Sequence, residues 1–426
     1  MADTGERMQI LLGLAGIAVL LLLAWIFSEN KRKVAWRTVL VGIGLQLLLA
    51  MFVLWVPVGQ LVFDHLGQAF VSLIGFTRAG SEFVFGPLAD ANSFGFIFAF
   101  QVLPTIIFFA SLMACLYHLG IMQKIVEAMA WVMTRLMRVS GSESLATAAN
   151  VFVGQTEAPL VVRPFIAGMT RSELFALMTG GMATIAGGVL AAYVMLLGGT
   201  DPVEQAFFAK HLISASIMAA PATLVIAKLM IPETDESETT GAVHVAVERP
   251  HTNLIEAAAG GAGEGLKLAL NVGAMLLAFL ALIALLNWPL GWVGSITGLE
   301  DRLGQPLDLA LILGWIGAPL ALLAGVAPDE AVAVGSLIGQ KVVANEFVAY
   351  VALTEMQANL SERSVLIATY ALCGFANFAS VAIQIGGIGG IAPSRRPHIA
   401  QLGLKAVLGG TIVSLLNAAW AGILVG

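Results

Sequence analysis

The sequence predicts an all-α polytopic membrane protein with eight transmembrane helices, two re-entrant hairpins, interfacial helices and an inverted repeat. Of its 426 residues, 58% are hydrophobic and only 11% are charged, and the mean hydropathy is +0.90. Soluble domains carry roughly 25% charged residues, so this composition is typical of a membrane protein. Eight apolar stretches each have the roughly 20 residues that a spanning helix requires: 9–27, 38–57, 96–117, 172–197, 206–231, 266–288, 364–391 and 399–425.

A basic cluster sets the predicted orientation. It follows the first apolar stretch, which is therefore expected to remain as an anchor and not to be a cleaved signal peptide. By the positive-inside rule the cluster lies inside, and with eight crossings the N- and C-termini both lie outside. Segment 232–264 is then a cytoplasmic loop, and the acidic residues at 233–240 are expected to be solvated. The basic cluster consists of Lys31, Arg32, Lys33 and Arg37.

Four further segments are predicted not to span. Regions 140–168 and 328–352 are apolar but broken midway by polar residues, and their arms are shorter than a span needs. Non-helical backbone at membrane depth is tolerated only where protein or a wet cavity surrounds it, which favours re-entrant hairpins over ordinary spans with buried polar contacts. Pro159 is expected to restart a helix after the first tip. Segments 58–90 and 121–138 are amphipathic and are predicted to lie along the interface.

The chain repeats at an offset of 191 residues, the separation of Gly154 from Asn345. This offset places the polar cluster around Gln155 and Glu157 over the second tip at Glu346, and helix 206–231 over 399–422. Three crossings separate equivalent points, an odd number, so the second half must be inverted. Secondary transporters are built in this way, with the binding site near the midplane between the halves.

Two of the predicted helices are rich in small residues where they approach the tips. The first carries glycines between 179 and 188, and its repeat mate carries 373–377 followed by Gly386 and Gly387. Unwinding there would free carbonyls for a small hard cation, with side-chain oxygens of Asn150 and Thr184 completing its shell. Alternatively, the glycines serve close helix packing.

Three motifs resemble the signatures of one family, the concentrative nucleoside transporters, and most of all its sodium-coupled bacterial members. The motifs are 154–160 (GQTEAPL), 339–350 (GQKVVANEFVAY) and 373–380 (CGFANFAS). The resemblance implies a homotrimer in the bacterial inner membrane that imports nucleosides, uridine and other pyrimidine nucleosides among them. It implies alternating access, sodium as the coupling ion and no other cofactor.

The resemblance also assigns roles to residues. Gln155, Thr156 and Glu157 would contact the nucleobase, with Val189 packing on it. In the second half Glu346, Asn377 and Ser380 would bind the ribose hydroxyls, and Phe375 would pack against the nucleoside. Sodium would be held by the side chains of Asn150 and Thr184 and the carbonyls of Val153 and Ile185. A site that hydrogen-bonds hydroxyls rejects analogues lacking them, so deoxynucleosides are expected to bind more weakly.

The implied domain plan separates a scaffold from a transport unit. The scaffold is predicted at 1–118 and 265–306. The transport unit comprises 119–231 and 307–426, each with one hairpin and two helices, and 232–264 connects them.

Lys341 occupies the repeat position of Asn150. We hypothesise that its ammonium fills the second ion position and leaves a single coupling sodium. The alternatives are pairing with Glu330 or Glu346, or a side chain that reaches water.

Two other functions stay open at this point. In a proton-coupled version of the transporter, Glu157 or Glu346 would carry the proton. In a membrane enzyme the same carboxylates would form an acid-base pair. The sequence has no nucleophile motif, phosphate loop or metal-ligand cluster beside them, and the Asn150 and Thr184 constellation favours sodium.

Overall fold

A computed structural model describes residues 2–239 and 251–425, and all regular structure in these ranges is helical. The helices are α1 Ala2–Ile26, α2 Trp36–Leu54, α3 Pro57–Phe85, α4 Ala91–Phe94, α5 Phe98–Gln101, α6 Leu103–His118, α7 Ile121–Met137, α8 Gly141–Asn150, α9 Ala158–Val161, α10 Arg163–Ile166, α11 Arg171–Ala183, α12 Gly187–Gly198, α13 Pro202–Met230, α14 Leu254–Ile296, α15 Leu299–Leu303, α16 Leu309–Leu323, α17 Ala331–Val343, α18 Glu346–Met356, α19 Glu362–Leu372, α20 Phe378–Ile391 and α21 Arg396–Leu424.

Seven helical stretches of the described chain are long and apolar enough to cross a membrane: Gln9–Ile26, Trp36–Leu54, Phe98–His118, Arg171–Gly198, Pro202–Met230, Leu254–Ile296 and Pro393–Leu424. The eighth predicted span, 364–391, is present as two shorter helices, α19 and α20, with an unwound segment between them. The amphipathic segments expected at the interface form α3 and α7.

Both hairpins have the short arms that the sequence predicts. The first runs from α8, which has 10 residues, through an irregular tip into α9 and α10. Pro159 lies in the first turn of α9. Backbone N–H groups in the first turn have no intrahelical acceptor, so proline, which lacks an N–H, loses no hydrogen bond there. The second joins α17 to α18, and the Asn345 side chain caps α18 by accepting a hydrogen bond from the Val348 N–H at 2.9 Å.

The sequence missed two features of the helical pattern. The helix α14 begins at Leu254 and so extends into the predicted loop 232–264. Helix α16 was not predicted, although the 191-residue offset makes it the counterpart of α7. It packs on α17 through glycines, since a Cβ on Gly317 would lie only 2.1 Å from the Gly335 carbonyl oxygen. Close backbone approach of this kind is how helices associate in lipid.

The repeat is visible in the element bounds. At the 191-residue offset the broken pair α11 and α12 falls on α19 and α20, and α13 falls on α21. Each half therefore contains a hairpin, a broken helix and a long helix in the same order. The long helices of both halves are buried in the protein over more than four-fifths of their most apolar windows.

Outside this repeated unit, α14 packs on α6. The contact again uses small residues: a Cβ on Gly261 would lie 2.7 Å from the Ala110 carbonyl oxygen, and one on Gly265 would lie 2.8 Å from Ile107 Cα. Most of α14 remains exposed, including Leu277 and Trp288. Helix α1 packs on α21 and α2 on α13, so these two helices contact the repeated unit directly.

A buried ion pair fixes the base of the first hairpin. Lys228 Nζ lies 2.8 Å from Glu143 Oε2, and both side chains are almost fully buried. Glu143 also closes the capping box at the start of α8 by accepting from the Ser140 N–H at 2.8 Å. Lys228 further donates to Ser172 Oγ at 3.0 Å and to Glu233 at 3.1 Å. The hairpin, α11 and α13 are thereby joined by one cation.

The expectation of a solvated acidic loop at 233–240 is therefore wrong for part of that segment. Glu233 is half-buried against Lys228, and Thr239 is buried with its hydroxyl donating to Ser142 Oγ at 2.8 Å. Asp235 and Glu236 are exposed as expected, and residue 240 lies outside the described residues. Lys228 on α13 supplies an ion-pair partner and Ser142 on α8 supplies a hydrogen-bond partner, and these contacts hold the segment against the protein, which a charge pattern alone does not reveal.

The loop between α1 and α2 is anchored by charge. Glu29 contacts Arg171 at 2.9 Å and Lys405 at 2.7 Å. The hydrogen bond from Arg171, helped by Lys405, lowers the pKa of Glu29 to about 2, so the carboxylate is ionised at neutral pH.

We expect Lys228→Met to lower thermal stability strongly, because it leaves the Glu143 carboxylate buried and unpaired, at a cost of roughly 3–5 kcal/mol. The measurement is the apparent unfolding midpoint of the purified protein in detergent. Lys267→Met is the matched control, because Lys267 forms an exposed pair with Glu264 worth at most about 1 kcal/mol. Equal unfolding midpoints for the two variants would contradict a stabilising role of the Lys228–Glu143 pair. Adding Glu143→Gln to Lys228→Met should restore part of the lost stability, because no buried carboxylate is then left unpaired.

Candidate functional site

The two broken helices meet at their interruptions. Helix α11 ends at Ala183 and α12 begins at Gly187, while α19 ends at Leu372 and α20 begins at Phe378. Gly374 lies in the second interruption with φ +117°, and a Cβ there would lie 2.8 Å from the Ala183 carbonyl oxygen. Only glycine permits both this dihedral angle and this contact. The predicted interruptions are thus present, and they cross in direct contact.

The flanking glycines have a different role from the one expected. Gly180, Gly181 and Gly387 lie within helices. A Cβ on Gly181 would lie 2.7 Å from Gln155 Cβ, and one on Gly387 would lie 3.2 Å from the Thr156 methyl carbon. These glycines therefore let the first hairpin tip approach α11 and α20 closely, which was the alternative interpretation.

The first tip contributes Gln155, which is buried, and Thr156 and Glu157, which are exposed. The Glu157 carboxylate folds back over Gly154, because a Cβ on Gly154 would lie 2.5 Å from Oε2. The tip is tied to the first interruption by the Gly187 N–H, which donates to the Phe152 carbonyl at 3.1 Å. Glu157 thus belongs to the exposed side of the tip and Gln155 to its buried side.

A backbone carbonyl fixes the orientation of the Gln155 amide through a second glutamine, Gln384. Gln384 Nε2 donates to the Met178 carbonyl at 2.9 Å, so this atom must be the NH₂ group. The same NH₂ donates to Gln155 Oε1 at 3.1 Å, which leaves Gln155 Nε2 to donate to Ser380 Oγ at 3.0 Å. Gln155 is therefore held with its NH₂ toward Ser380 and its amide oxygen toward Gln384, both on α20. Gln384 was not among the residues predicted from the sequence, although an amide inside the apolar segment 378–391 is a detectable signal.

A second network surrounds Glu346 at the second tip. Its carboxylate is buried and accepts from the Tyr193 hydroxyl at 3.0 Å and from Asn377 Nδ2 at 2.9 Å. Asn377 Oδ1 accepts from the Ser380 N–H at 2.8 Å as the N-cap of α20, which leaves its NH₂ to face Glu346. A carboxylate accepts about four hydrogen bonds, so Glu346 retains capacity for a ligand. Tyr193 is a second residue that the sequence analysis missed.

These contacts bring most of the predicted site residues together. Asn377 and Ser380 belong to one helix start and link the Glu346 network to Gln155. Phe375 is half-buried within the second interruption, and Val189 is buried in the first turn of α12. The tips, the interruptions and the start of α20 therefore form one polar centre inside an apolar protein.

The residues expected to hold a cation lie beside this centre. Asn150 ends α8 and is buried, and neither its Oδ1 nor its Nδ2 has a hydrogen-bond partner in the described chain. Its amide meets α11, since a Cβ on Gly180 would lie 3.0 Å from Asn150 Nδ2. Thr184 is buried at the first interruption and donates to the Gly180 carbonyl at 2.8 Å. A buried amide without a partner is costly, and its oxygen suits a hard cation, so the residues fit a sodium ion.

The backbone members of the proposed cation site occupy the two irregular segments. Val153 is in the first tip and Ile185 in the first interruption, both outside regular helix. Three threonine hydroxyls in the same half, at Thr147, Thr179 and Thr223, are also buried without a hydrogen-bond partner among the described residues.

Comparisons with known proteins cover nearly the whole chain. Family profiles described as the Na+ dependent nucleoside transporter N-terminus, nucleoside recognition (Gate) and Na+ dependent nucleoside transporter C-terminus match residues 15–88, 99–200 and 211–422. The uncharacterized transporter YutK of Bacillus subtilis is 46% identical over 98% of this chain and 100% of its own length. Sodium/nucleoside cotransporter 1 of Rattus norvegicus is 42% identical over 99% of this chain, which spans 65% of the rat protein.

The fold agrees with solved structures of the same group. The structure of CNTnw in an inward-facing substrate-bound state matches with a TM-score of 0.89 and 42% identity over 98% of both chains. CNTnw variants have also been solved in outward-facing and intermediate states, with TM-scores of 0.89 to 0.90. These relatives are transporters and not enzymes, which removes the acid-base reading of Glu157 and Glu346. By sequence along its whole length and by fold, the chain belongs to the family of sodium-dependent concentrative nucleoside transporters.

Proposed function

We propose that this protein imports nucleosides, uridine and other pyrimidine nucleosides among them, by symport with sodium. The main observation in support is that the two hairpin tips contribute different polar groups to the polar centre. The first tip contributes the Gln155 amide, and the second tip contributes the Glu346 carboxylate. A nucleoside has the same two-part chemistry, a base edge with donors and acceptors and a sugar with hydroxyl donors.

Each tip offers the groups that its part of the ligand needs. Gln155 presents an NH₂ to a base carbonyl, Thr156 and Glu157 offer further polar atoms from the exposed side of the tip, and Val189 supplies apolar contact. Glu346, Asn377 and Ser380 receive the ribose hydroxyls, with Phe375 against the nucleoside. Because Tyr193 and Asn377 already hold the Glu346 carboxylate in place, it needs little reorganisation when the sugar binds.

Sodium would be held by the Asn150 and Thr184 side chains with the carbonyls of Val153 and Ile185. The ion supplies positive charge between the first tip and the first interruption. Gln155 lies in the same tip, and Val189 lies in the first turn of α12, directly after the interruption, so binding of the ion would order the base side of the nucleoside site. Reciprocal coupling follows, because each ligand stabilises the arrangement that binds the other.

Alternating access would move a transport unit, 119–231 and 307–426, against a scaffold, 1–118 and 265–306. The contact of α6 with α14 provides a scaffold pair outside the repeated unit. The exposed apolar face of α14, with Trp288 79% exposed, suits lipid or the neighbouring subunits of a homotrimer. We place the protein in a bacterial inner membrane, with both termini outside.

The function is tested by uptake of radiolabelled uridine into proteoliposomes under an imposed sodium or proton gradient. An inward sodium gradient should drive accumulation, and a proton gradient alone should not. Uptake driven by protons without sodium would instead support the proton-coupled alternative, with Glu157 or Glu346 as the proton carrier.

Asn150→Ala should abolish the sodium dependence of uridine binding, because it removes the only side-chain carboxamide of the proposed sodium shell. The readout is thermal stabilisation by sodium in detergent, with and without uridine. Asn253→Ala is the control, since Asn253 caps α14 on the exposed surface. A sodium response in Asn150→Ala equal to that of the control would remove Asn150 from the ion site.

Removal of the ribose hydroxyls should weaken binding. An unpaired buried polar group costs roughly 1–3 kcal/mol, so we expect 2′,3′-dideoxyuridine to bind at least about tenfold more weakly than uridine. Competition against labelled uridine measures this, and the singly deoxygenated nucleosides show which hydroxyl matters. In the Glu346→Gln variant, the affinities for uridine and 2′,3′-dideoxyuridine should differ less than in wild type. Equal affinities of uridine and its deoxy analogues for the unmodified protein would refute the ribose assignment.

Gln384→Met should weaken uridine binding about tenfold without changing the sodium response, because Gln155 Oε1 loses its donor and the amide is no longer held in one orientation. Isothermal titration with uridine at saturating sodium measures the change. Gln60→Met is the control, since Gln60 lies in α3 and donates to the Leu54 carbonyl at the end of α2, away from the site. Unchanged uridine affinity in Gln384→Met would show that Gln384 does not position Gln155.

A further inference from the structure

The Lys341 side chain is buried deep in the second half without a carboxylate partner in the described chain. It is 1% exposed. Its Nζ donates to the Ala371 carbonyl at 2.9 Å, to Ser414 Oγ at 3.1 Å and, at 3.4 Å, to the Cys373 carbonyl. An ammonium has three N–H donors, and each has an oxygen here. The oxygens come from the end of α19, from the second interruption and from α21.

The same three positions converge in the first half. The 191-residue offset carries Lys341 back onto Asn150, Ala371 onto Gly180 and Ser414 onto Thr223. A Cβ on Gly180 would lie 3.0 Å from Asn150 Nδ2 and 3.6 Å from the Thr223 methyl carbon. The two halves therefore build one pocket twice, each time from a hairpin arm, a broken helix and a long helix.

The two copies differ in their hydrogen bonding. In the first half, the side-chain polar atoms of Asn150 and Thr223 are buried and have no hydrogen-bond partner among residues 2–239 and 251–425. In the second half Lys341 pairs with the backbone of Ala371 and with the Ser414 hydroxyl, which also donates to the Cys373 carbonyl at 2.7 Å. Carbonyl and hydroxyl oxygens serve an ammonium and a sodium ion alike. At the equivalent position, the first copy thus has the neutral Asn150 side chain, and the second copy has the Lys341 ammonium.

Neither alternative interpretation of Lys341 agrees with these contacts. The Glu330 carboxylate binds the N–H and hydroxyl of Ser361, at 2.6 and 2.8 Å. The Glu346 carboxylate binds Tyr193 and Asn377. Burial of Lys341 excludes a side chain that reaches water.

We propose that the Lys341 ammonium is a tethered cation that occupies the second, pseudo-symmetric ion position. The inference rests on the proposed sodium site at Asn150. The charge that orders the second interruption is covalently attached and travels with the transport unit in every conformation, so it cannot be exchanged between the two sides of the membrane. Only the first copy exchanges its ion, and each nucleoside is accompanied by one sodium.

The test is to give the second copy the side chain of the first. Lys341→Asn leaves the Ala371 and Cys373 carbonyls and the Ser414 hydroxyl in place and adds an amide oxygen. We expect the charge moved per uridine in proteoliposomes to rise from about one to about two, and the Hill coefficient for sodium to rise with it. A Lys341→Asn protein that transports with the wild-type ratio and sodium dependence would overturn the proposal.

Lys341→Met is the matched variant, because it keeps a long side chain but supplies neither charge nor oxygen. It should be less stable than wild type at every sodium concentration, whereas sodium should restore the stability of Lys341→Asn. The readout is the unfolding midpoint titrated with sodium without nucleoside. Equal sodium responses of the two variants, or wild-type stability of Lys341→Met, would overturn the proposal.

Measurements on the wild-type protein also test the proposal, and they do not depend on whether a variant folds. Two sodium ions per uridine in wild type would overturn the single-ion inference while leaving sodium symport intact. Proton-driven uptake without sodium would instead refute the proposed coupling. Even then, stabilisation of Lys341→Asn by sodium, absent in Lys341→Met, would support the tethered cation.

Discussion

The structure depends on one constraint: polar backbone and side-chain groups that lie within the apolar protein must find partners there. Two broken helices and two hairpin tips expose such groups, and they are placed against each other so that each supplies what another lacks. The contact of Gly374 with the Ala183 carbonyl joins the interruptions. Backbone that would be too costly in lipid is thereby enclosed by protein and made available for binding.

Hydrogen bonds from the backbone orient the side chains of the centre. The Met178 carbonyl fixes Gln384 and through it Gln155, and the Ser380 N–H fixes Asn377 and through it Glu346. In both networks a rigid helix determines which face an amide presents. In the proposed site, the base and the sugar of a nucleoside would therefore meet side chains whose donors and acceptors are already set, which would lower the cost of binding.

Much of the architecture could be predicted because its signals are local. Apolar length predicts the spans, short arms with polar tips predict the hairpins, and the 191-residue offset relates the halves. The same offset should have revealed α16 from α7. It was missed because α16 is uniformly apolar, whereas α7 is amphipathic, so their hydropathy patterns differ. The buried part of the 233–240 segment was missed because Ser142, which accepts from Thr239, lies 97 residues away, and because Lys228 has to be held in place by the distant Glu143 before it can pair with Glu233.

The sequence by itself determined the membrane setting, the hairpins and the interruptions, since these follow from composition, periodicity and motif, and the same motifs supplied the proposed site residues. Only the tertiary structure decided the pairings: Gln384 with Gln155, Tyr193 with Glu346, and Lys341 with the carbonyls of Ala371 and Cys373. Each of these contacts joins segments separated by 30 or more residues. Their residues carry no local pattern that names a partner, and only packing of the helices brings them within hydrogen-bond distance.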